Sequence, residues 1–172
     1  MQDSQMDEFT EQNLVEFLLE ARRNCWAGDG KEVKTAQRPG FKEFSFSKGL
    51  FNYRDSYAGF FSAPGSEIVW FQNVPIWTMS YTGGVIPELI GNVSEAKRIF
   101  SFLKQALLHT TPDHPFRGPQ EYCCGNLVYQ CGAEGNIAHF TGKEIIFDNS
   151  RAVFIQDFIG GNIVDKLHTS KP

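Results

Sequence analysis

Two tyrosines flank an aspartate in the segment Tyr53-Arg54-Asp55-Ser56-Tyr57. Side chains alternate between the two faces of a strand, so Tyr53, Asp55 and Tyr57 share one face if the segment is extended. Two phenols around a carboxylate are suited to recognising a polar or cationic small molecule, through hydrogen bonds and aromatic contact. The alternative is a half-buried sheet face whose polar groups point into water.

Three further aromatic residues are candidates for the walls of such a site. Trp77 and Tyr81 lie in a later aromatic segment, and Trp26 lies in the loop of residues 24–34. Loops tolerate insertions and often carry function, which makes this loop a second place to look for a ligand. The predicted ligand-binding residues are Tyr53, Asp55, Tyr57, Trp77, Tyr81 and Trp26.

Glu67 and Glu144 each open an apolar segment, and each is followed by an isoleucine. Two converging carboxylates could act as an acid/base pair or bind a metal ion. The alternative is a structural hydrogen bond or salt bridge for each, which the lack of an accompanying histidine favours. The standard phosphate-loop, dinucleotide, nucleophile-elbow and histidine-pair motifs do not occur, so the sequence predicts no metal ligand and names no cofactor.

Two arginines each stand next to proline and glycine, in Arg38-Pro39-Gly40 and in Arg117-Gly118-Pro119. We interpret both as structural residues that brace the ends of a sheet through bidentate bonds to nearby carboxylates such as Glu43 or Glu121. An anion-binding site is the alternative.

The second half of the chain repeats the first. Residues 63–86 align with residues 140–163 at a fixed offset, which pairs Glu67 with Glu144. We predict internal repeats at about residues 9–87 and 94–164. Because copies of this size are only marginally stable alone, we expect them to pack around a pseudo-two-fold axis as a single domain spanning residues 1–172.

Helical and strand patterns follow one another in the same order in both copies. Apolar stripes at helical spacing start at Leu14 and Ile99, and Thr10 and Ser94 are the expected N-caps. Aromatic-rich strands follow each helix, joined by short turns such as residues 72–75, which leave no room for the crossovers of a parallel sheet. The predicted class is α+β, with one helix and about four antiparallel strands in each copy.

Composition excludes several classes of protein. The chain of 172 residues has a net charge of −4 and no basic stripe, so we expect no binding to nucleic acid by this chain alone. No apolar run is long enough for a membrane span, and the first residues are polar and acidic rather than a signal peptide. These features favour a cytoplasmic protein without membrane contact.

Five segments of the chain have a recognisable pattern, namely residues 27–30, 38–40, 53–57, 67–81 and 114–122. Together they resemble an uncharacterised bacterial family, a domain of unknown function that is sometimes fused behind an XRE-type helix-turn-helix. The resemblance extends over about residues 14–164. It implies no established activity, ligand or catalytic residue, and the fusion implies a sensing or interaction role by association only.

Three hypotheses for function follow. The first is a non-catalytic domain that binds or senses a small molecule, with its site between the copies or beside the loop of residues 24–34. The second is an enzyme that uses Glu67 and Glu144, with or without a metal. The third is a structural or dimerisation module that forms a homodimer through an exposed aromatic patch.

Overall fold

A computed structural model describes residues 9–166. These residues form one antiparallel eight-stranded sheet with two α-helices, so the α+β class is confirmed. In chain order the elements are α1 (Glu11–Asn24), β1 (Lys42–Lys48), β2 (Phe51–Tyr57), β3 (Gly65–Phe71), β4 (Val74–Val85), a 3₁₀ turn (Pro87–Leu89), α2 (Val93–Leu107), β5 (Glu121–Cys124), β6 (Leu127–Asn136), β7 (His139–Asp148) and β8 (Arg151–Asn162).

The strand order across the sheet is β1-β2-β3-β4-β8-β7-β6-β5. Each half is therefore a meander of four strands preceded by a helix, and the last strands of the two halves, β4 and β8, pair with each other at the centre. This central ladder runs from Trp77 opposite Asn162 to Val85 opposite Phe154. Register shifts interrupt the β3–β4 pair after Val69 and the β7–β8 pair after Ile146, the residue that aligns with Val69 in the second half.

Both helices place their apolar stripes on the same core. Leu14, Phe17 and Ala21 of α1 are buried, and so are Ile99 and Ala106 of α2, as the helical spacing predicts. The Phe17 ring stacks on Phe51 of the sheet with ring centroids 5.0 Å apart. Burial of these aromatic and aliphatic side chains is the main stabilising contribution to the fold.

The predicted N-cap is confirmed for α1 and wrong for α2. Thr10 caps α1, because its hydroxyl accepts a hydrogen bond from the Asn13 amide at 3.1 Å. The cap of α2 is Asn92 rather than Ser94, since Asn92 Oδ1 accepts from the Glu95 amide at 3.1 Å and the helix begins at Val93. Asparagine is as good an N-cap as serine, and its amide oxygen reaches the same third residue.

Tight turns close the two equivalent hairpins. Gln72 and Asn73 join β3 to β4, with φ of 51° and 65°, and Asn149 and Ser150 join β7 to β8, with φ of 45° and 69°. Two successive residues with positive φ form a type I′ turn, whose twist matches that of the flanking strands. The predicted turn of residues 72–75 was too long, because Val74 and Pro75 already belong to β4.

None of the helices among residues 9–166 is both long and apolar enough to cross a bilayer.

Candidate functional site

A cavity of about 510 Å³ lies between the inner face of the sheet and the two helices. Its floor is formed by β2, β3 and β4, and its walls are formed by the end of α1, the following loop and α2. A cavity of this size is in the range that holds small organic ligands. The polar and aromatic residues around it include Arg22, Trp26, Tyr53, Asp55, Tyr57, Phe60, Glu67, Tyr81, Phe100 and Arg117.

Strand β2 presents its predicted residues to this cavity. Tyr53, Asp55 and Tyr57 all lie along the cavity floor, as alternation along a strand requires. Tyr53 and Asp55 are buried, whereas Tyr57 is half-buried. Trp26 of the loop after α1 adds a wall, and it holds the Lys104 ammonium 5.0 Å above its ring.

Trp77 does not line the cavity. It is fully buried, its indole N–H donates to the Ile137 carbonyl at 2.9 Å, and its ring stacks on Phe140 at 5.9 Å. Trp77 shares a face of β4 with Tyr81, but four residues of strand separate them by about 13 Å. Trp77 is therefore a core residue away from the cavity, and the prediction that it forms a wall of the site was wrong.

Tyr81 and Asp55 form the closest polar contact on the cavity floor. The Tyr81 hydroxyl donates to Asp55 Oδ1 at 2.6 Å. The two residues stand on β4 and β2, and the intervening residue of β3 opposite Tyr81 is Gly65. A Cβ atom at Gly65 would lie 2.5 Å from the Tyr81 hydroxyl oxygen, so only glycine lets the phenol lie across β3 to the carboxylate.

Glu67 stands beside Asp55 on the adjacent strand and is held by two arginines. Arg22 of α1 donates from Nε to Glu67 Oε2 at 2.9 Å, and Arg117 donates from Nη1 to Glu67 Oε1 at 3.0 Å. Charge-assisted bonds of this kind fix both partners in a dry environment. Glu67 is 1% exposed, so its charge is neutralised by these arginines rather than by water.

Glu144 lies at the equivalent position of the second half, outside the cavity lining. Its Oε1 accepts from Arg117 Nε at 3.2 Å and from Gln156 Nε2 at 2.7 Å. Its Oε2 accepts from the Tyr129 hydroxyl at 2.7 Å. The Arg117 guanidinium thus connects Glu67 to Glu144 across the central ladder. A metal ion or a proton shared by the two carboxylates, as the predicted acid/base pair requires, would have to take the place of this guanidinium.

The expected partners of the two loop arginines were wrong. Arg117 is buried and binds Glu67 and Glu144 rather than Glu121, because the connection between α2 and β5 folds over the inner face of the sheet. The Arg38 guanidinium donates to the Ser66 hydroxyl at 3.3 Å and lies over the Phe41 ring at 4.9 Å, and only the backbone of Arg38 bonds to Glu43. The arginine paired with Glu43 is Arg54, at 3.4 Å.

The buried charges of the cluster do not balance. It contains three carboxylates, those of Asp55, Glu67 and Glu144, against the two guanidinium groups of Arg22 and Arg117. Burial, followed by the nearby negative charge of Glu67, raises the pKa of Asp55 to about 7. Burial would lower the pKa of Arg117, but Glu144 and Glu67 outweigh it and the pKa lies above the ordinary value, so Arg117 stays charged.

Some polar groups of this cluster have bonding capacity that residues 9–166 do not use. Arg22 Nη2 lies 2.8 Å from Glu67 Oε2 but without the geometry of a hydrogen bond. The Tyr53 hydroxyl accepts and donates none, although the residue is 3% exposed. Burial raises the pKa of Tyr53 well above that of a free phenol, so the group is a neutral donor. Among residues 9–166 the one fully buried side-chain atom without a hydrogen bond is Arg22 Nη2, whereas the Tyr53 hydroxyl belongs to a residue of the cavity lining and can serve a bound molecule.

The Cys25 thiol lies on the same cavity wall. Burial, then Asp55 and Glu67, raises its pKa to about 12, so it is a neutral thiol and not a nucleophile. Within residues 9–166 there is no group of three or more histidine, cysteine or acidic side chains that could hold a metal ion.

Sequence reasoning missed Arg22 and gave Arg117 the wrong carboxylates. Arg22 occupies a buried position on the apolar face of α1, and the equivalent position of α2 is Leu107. A charged residue on an otherwise apolar helical stripe was the available signal, because such a residue must find a buried partner.

Neither the curated proteins nor the solved structures include a match to this chain. A family model matches residues 55–163, which include β3, β4, α2 and the whole second half of the sheet. Since the match covers more than half of the chain, the protein belongs to the family described as a domain of unknown function, DUF5680.

Proposed function

We propose that this protein binds a small molecule in the cavity between the sheet and its helices. The observation that carries the proposal is the combination of a 510 Å³ cavity with buried polar groups on its floor, Asp55 and Tyr53, whose bonding capacity is not used up by the protein. A cavity whose only purpose was packing would be lined by apolar side chains and have its polar groups satisfied.

The walls of the cavity suit an organic ligand with an apolar body. Tyr57, Trp26 and Phe60 offer ring surface, and the Phe60 ring meets Phe100 of α2 edge-on at 5.4 Å. Aromatic walls with a few placed polar groups are the usual composition of small-molecule sites.

The arrangement of Glu67 and Glu144 favours a structural role over an acid/base role. Each carboxylate already holds the Arg117 guanidinium, and Glu144 has two further donors in Tyr129 and Gln156. A general base needs a free lone pair within reach of a substrate proton. The proposed function is accordingly binding without catalysis.

We further propose that the two halves arose by tandem duplication and that the residues that bind the ligand's polar group, Tyr53 and Asp55, belong to the first half. The alignment of β3 with β7 and of β4 with β8 at one fixed offset supports this, as does the equivalent position of the two register shifts. The four free thiols support a reducing compartment such as the cytoplasm. The resemblance to domains fused behind a helix-turn-helix supports a sensing role.

The proposal is tested by a fragment screen with a matched pair of variants. Ligand-observed NMR on the wild-type protein is expected to give hits that weaken in Tyr57→Ser, a residue on the cavity floor. The control is Tyr122→Ser, a half-buried tyrosine of β5 outside the cavity. A silent library, or hits that respond equally to both substitutions, would overturn the proposal.

A further inference from the structure

The two halves of the sheet differ at the positions that face the cavity. Asp55 stands opposite Glu67, and the equivalent residue opposite Glu144 is Cys131. Tyr81 corresponds to Phe158 in the alignment of the two halves. The first half thus carries a carboxylate and a phenol where the second half carries a thiol and an apolar ring.

The tyrosines that precede these residues also have different partners. In the second half the Tyr129 hydroxyl donates to Glu144 Oε2 at 2.7 Å. In the first half the corresponding oxygen, Glu67 Oε2, is held by Arg22. Within residues 9–166 the Tyr53 hydroxyl makes no bond like that of Tyr129, and Tyr53 lines the cavity.

Asp55 also has bonding capacity to spare. Among residues 9–166 its one hydrogen bond is from Tyr81 to Oδ1, which leaves Oδ2 without a donor. Asp55 and Tyr53 are two residues apart on β2 and share its cavity-facing side. A carboxylate oxygen and a phenol oxygen on one strand face can both accept hydrogen bonds, which suits a ligand group with several N–H donors.

We infer that the ligand of this cavity carries a protonated amine, an inference that rests on the proposed binding function. The N–H groups of the amine bind Asp55 Oδ2 and the Tyr53 hydroxyl, and the apolar body of the ligand lies against Tyr57. The charge of the cluster supports this class of ligand. With Asp55 ionised, three carboxylates face two guanidinium groups, and one added positive charge brings the buried cluster to neutrality.

The positive groups near the cavity do not favour an anion. The guanidinium groups of Arg22 and Arg117 are already held by Glu67 and Glu144. Lys97 and Lys42 line the cavity from exposed positions, where water and salt screen their charges. Lys104 is engaged in a salt bridge with Asp29.

The titratable and charged groups that interact with Asp55 come from several elements packed around it. They are Tyr53 and Tyr57 of β2, Glu67 of β3, Tyr81 of β4, Arg22 of α1, Cys25 after α1 and Arg117 before β5. Asp55 changes charge near neutral pH, since its pKa is about 7. Binding of the amine is therefore expected to strengthen from pH 5.5 to pH 8, where the amine itself remains protonated.

The test uses three probes that share one aromatic body: 2-phenylethylamine, 2-phenylethanol and phenylacetate. Titration calorimetry at pH 8 is expected to give roughly tenfold or tighter binding for the amine than for the alcohol, since hydrogen bonds to charged groups are the stronger ones. Asp55→Asn keeps the shape and the Tyr81 contact and is expected to abolish this preference. Asp157→Asn, an exposed carboxylate paired with Lys143, makes the same change of net charge elsewhere and is expected to preserve it.

Each contrary result has a separate meaning. Equal binding of amine and alcohol, or tighter binding of phenylacetate, would overturn the amine inference while leaving a small-molecule site in place. A preference for the amine that persists in Asp55→Asn would overturn it as well. If none of the three probes bound, the amine inference would be overturned. If no member of the fragment library bound either, the proposed function would be overturned as well.

Discussion

Tyr81 donates its hydroxyl proton to Asp55 Oδ1 at 2.6 Å by lying across a glycine, Gly65, on the strand between them. This contact joins the second and fourth strands of the sheet through side chains alone. It also gives the Asp55 carboxylate a hydrogen-bond donor, which stabilises the ionised form that burial and Glu67 disfavour.

Tyr81→Phe removes this donor without changing the ring. We expect the free energy of unfolding at pH 8 to fall by about 1–3 kcal/mol, since a buried carboxylate oxygen loses its partner. The pKa of Asp55 is expected to rise further, because the Tyr81 hydrogen bond lowers it. Urea unfolding and a carboxyl ¹³C titration measure the two effects. Tyr122→Phe serves as the control, since the Tyr122 hydroxyl makes no hydrogen bond within residues 9–166, and an equal loss there would contradict the argument.

The stability of the protein is expected to depend on pH through Asp55. Its pKa is raised from 3.8 in the unfolded chain to about 7 in the fold, so the folded state binds more protons between these values. The contribution of Asp55 to stability is then fully present below about pH 4 and is lost as pH rises through about 7.

Asp55→Asn isolates this contribution. We expect the variant to resemble the wild type at low pH and to become the more stable protein by pH 8, by on the order of a few kcal/mol. Urea unfolding of both proteins from pH 4.5 to 8.5 gives the difference in the free energy of unfolding, in which contributions that the two proteins share cancel. A difference that stays constant over this range would show that Asp55 does not titrate there.

Gly65→Ala is expected to break the geometry of the site. The new Cβ would lie 2.5 Å from the Tyr81 hydroxyl oxygen and 2.7 Å from the Ser56 carbonyl oxygen. Such overpacking costs about 1–3 kcal/mol and would displace Tyr81 from Asp55. Gly132→Ala is the matched control, because Gly132 also lies in a strand and a Cβ there has open space within 4 Å. Chemical denaturation and the Asp55 titration compare the two, and a similar cost at Gly132 would contradict the steric explanation.

Arg117→Met is expected to be strongly destabilising. Arg117 is the guanidinium that both Glu67 and Glu144 share, and its loss leaves buried carboxylates with less compensation. We expect a loss of about 3–5 kcal/mol at pH 7. Arg38→Met, at an exposed arginine, is expected to cost no more than about 0.5 kcal/mol.

A second substitution separates charge from packing at this position. Adding Glu144→Gln to Arg117→Met removes one of the unpaired charges, so part of the lost stability is expected to return in urea unfolding. If the double variant were less stable than Arg117→Met, the loss would be one of packing rather than of charge compensation.

Periodicity was sufficient to predict most of the fold. The helical stripes through Phe17 and Ile99 and the alternation through Tyr53, Asp55 and Tyr57 depend on local geometry, and the structure buries or aligns these residues as expected. The N-cap of α2 was missed although Asn92 stands three residues before Glu95, the spacing that a side-chain cap requires.

The polar contacts of the site depend on which elements meet in space, and local patterns do not contain that information. Arg22 and Arg117 reach Glu67 from positions 45 residues before it and 50 residues after it. Trp77 was expected near Tyr81 because both lie in one aromatic segment, but a sequence segment carries no information on which part of the strand borders the cavity, and the Trp77 ring packs on Phe140.

The central ladder has a practical consequence for dividing the molecule. Gly91 is exposed, with φ of 96°, and it lies between the two meanders. A chain opened there yields two fragments whose β4 and β8 edges are complementary over nine residue pairs, with Glu67 on one fragment and its Arg117 partner on the other. Asp55 belongs to the first fragment and Phe100 to the second, and both line the cavity. Association of the two fragments would therefore restore the eight-stranded sheet and the cavity together.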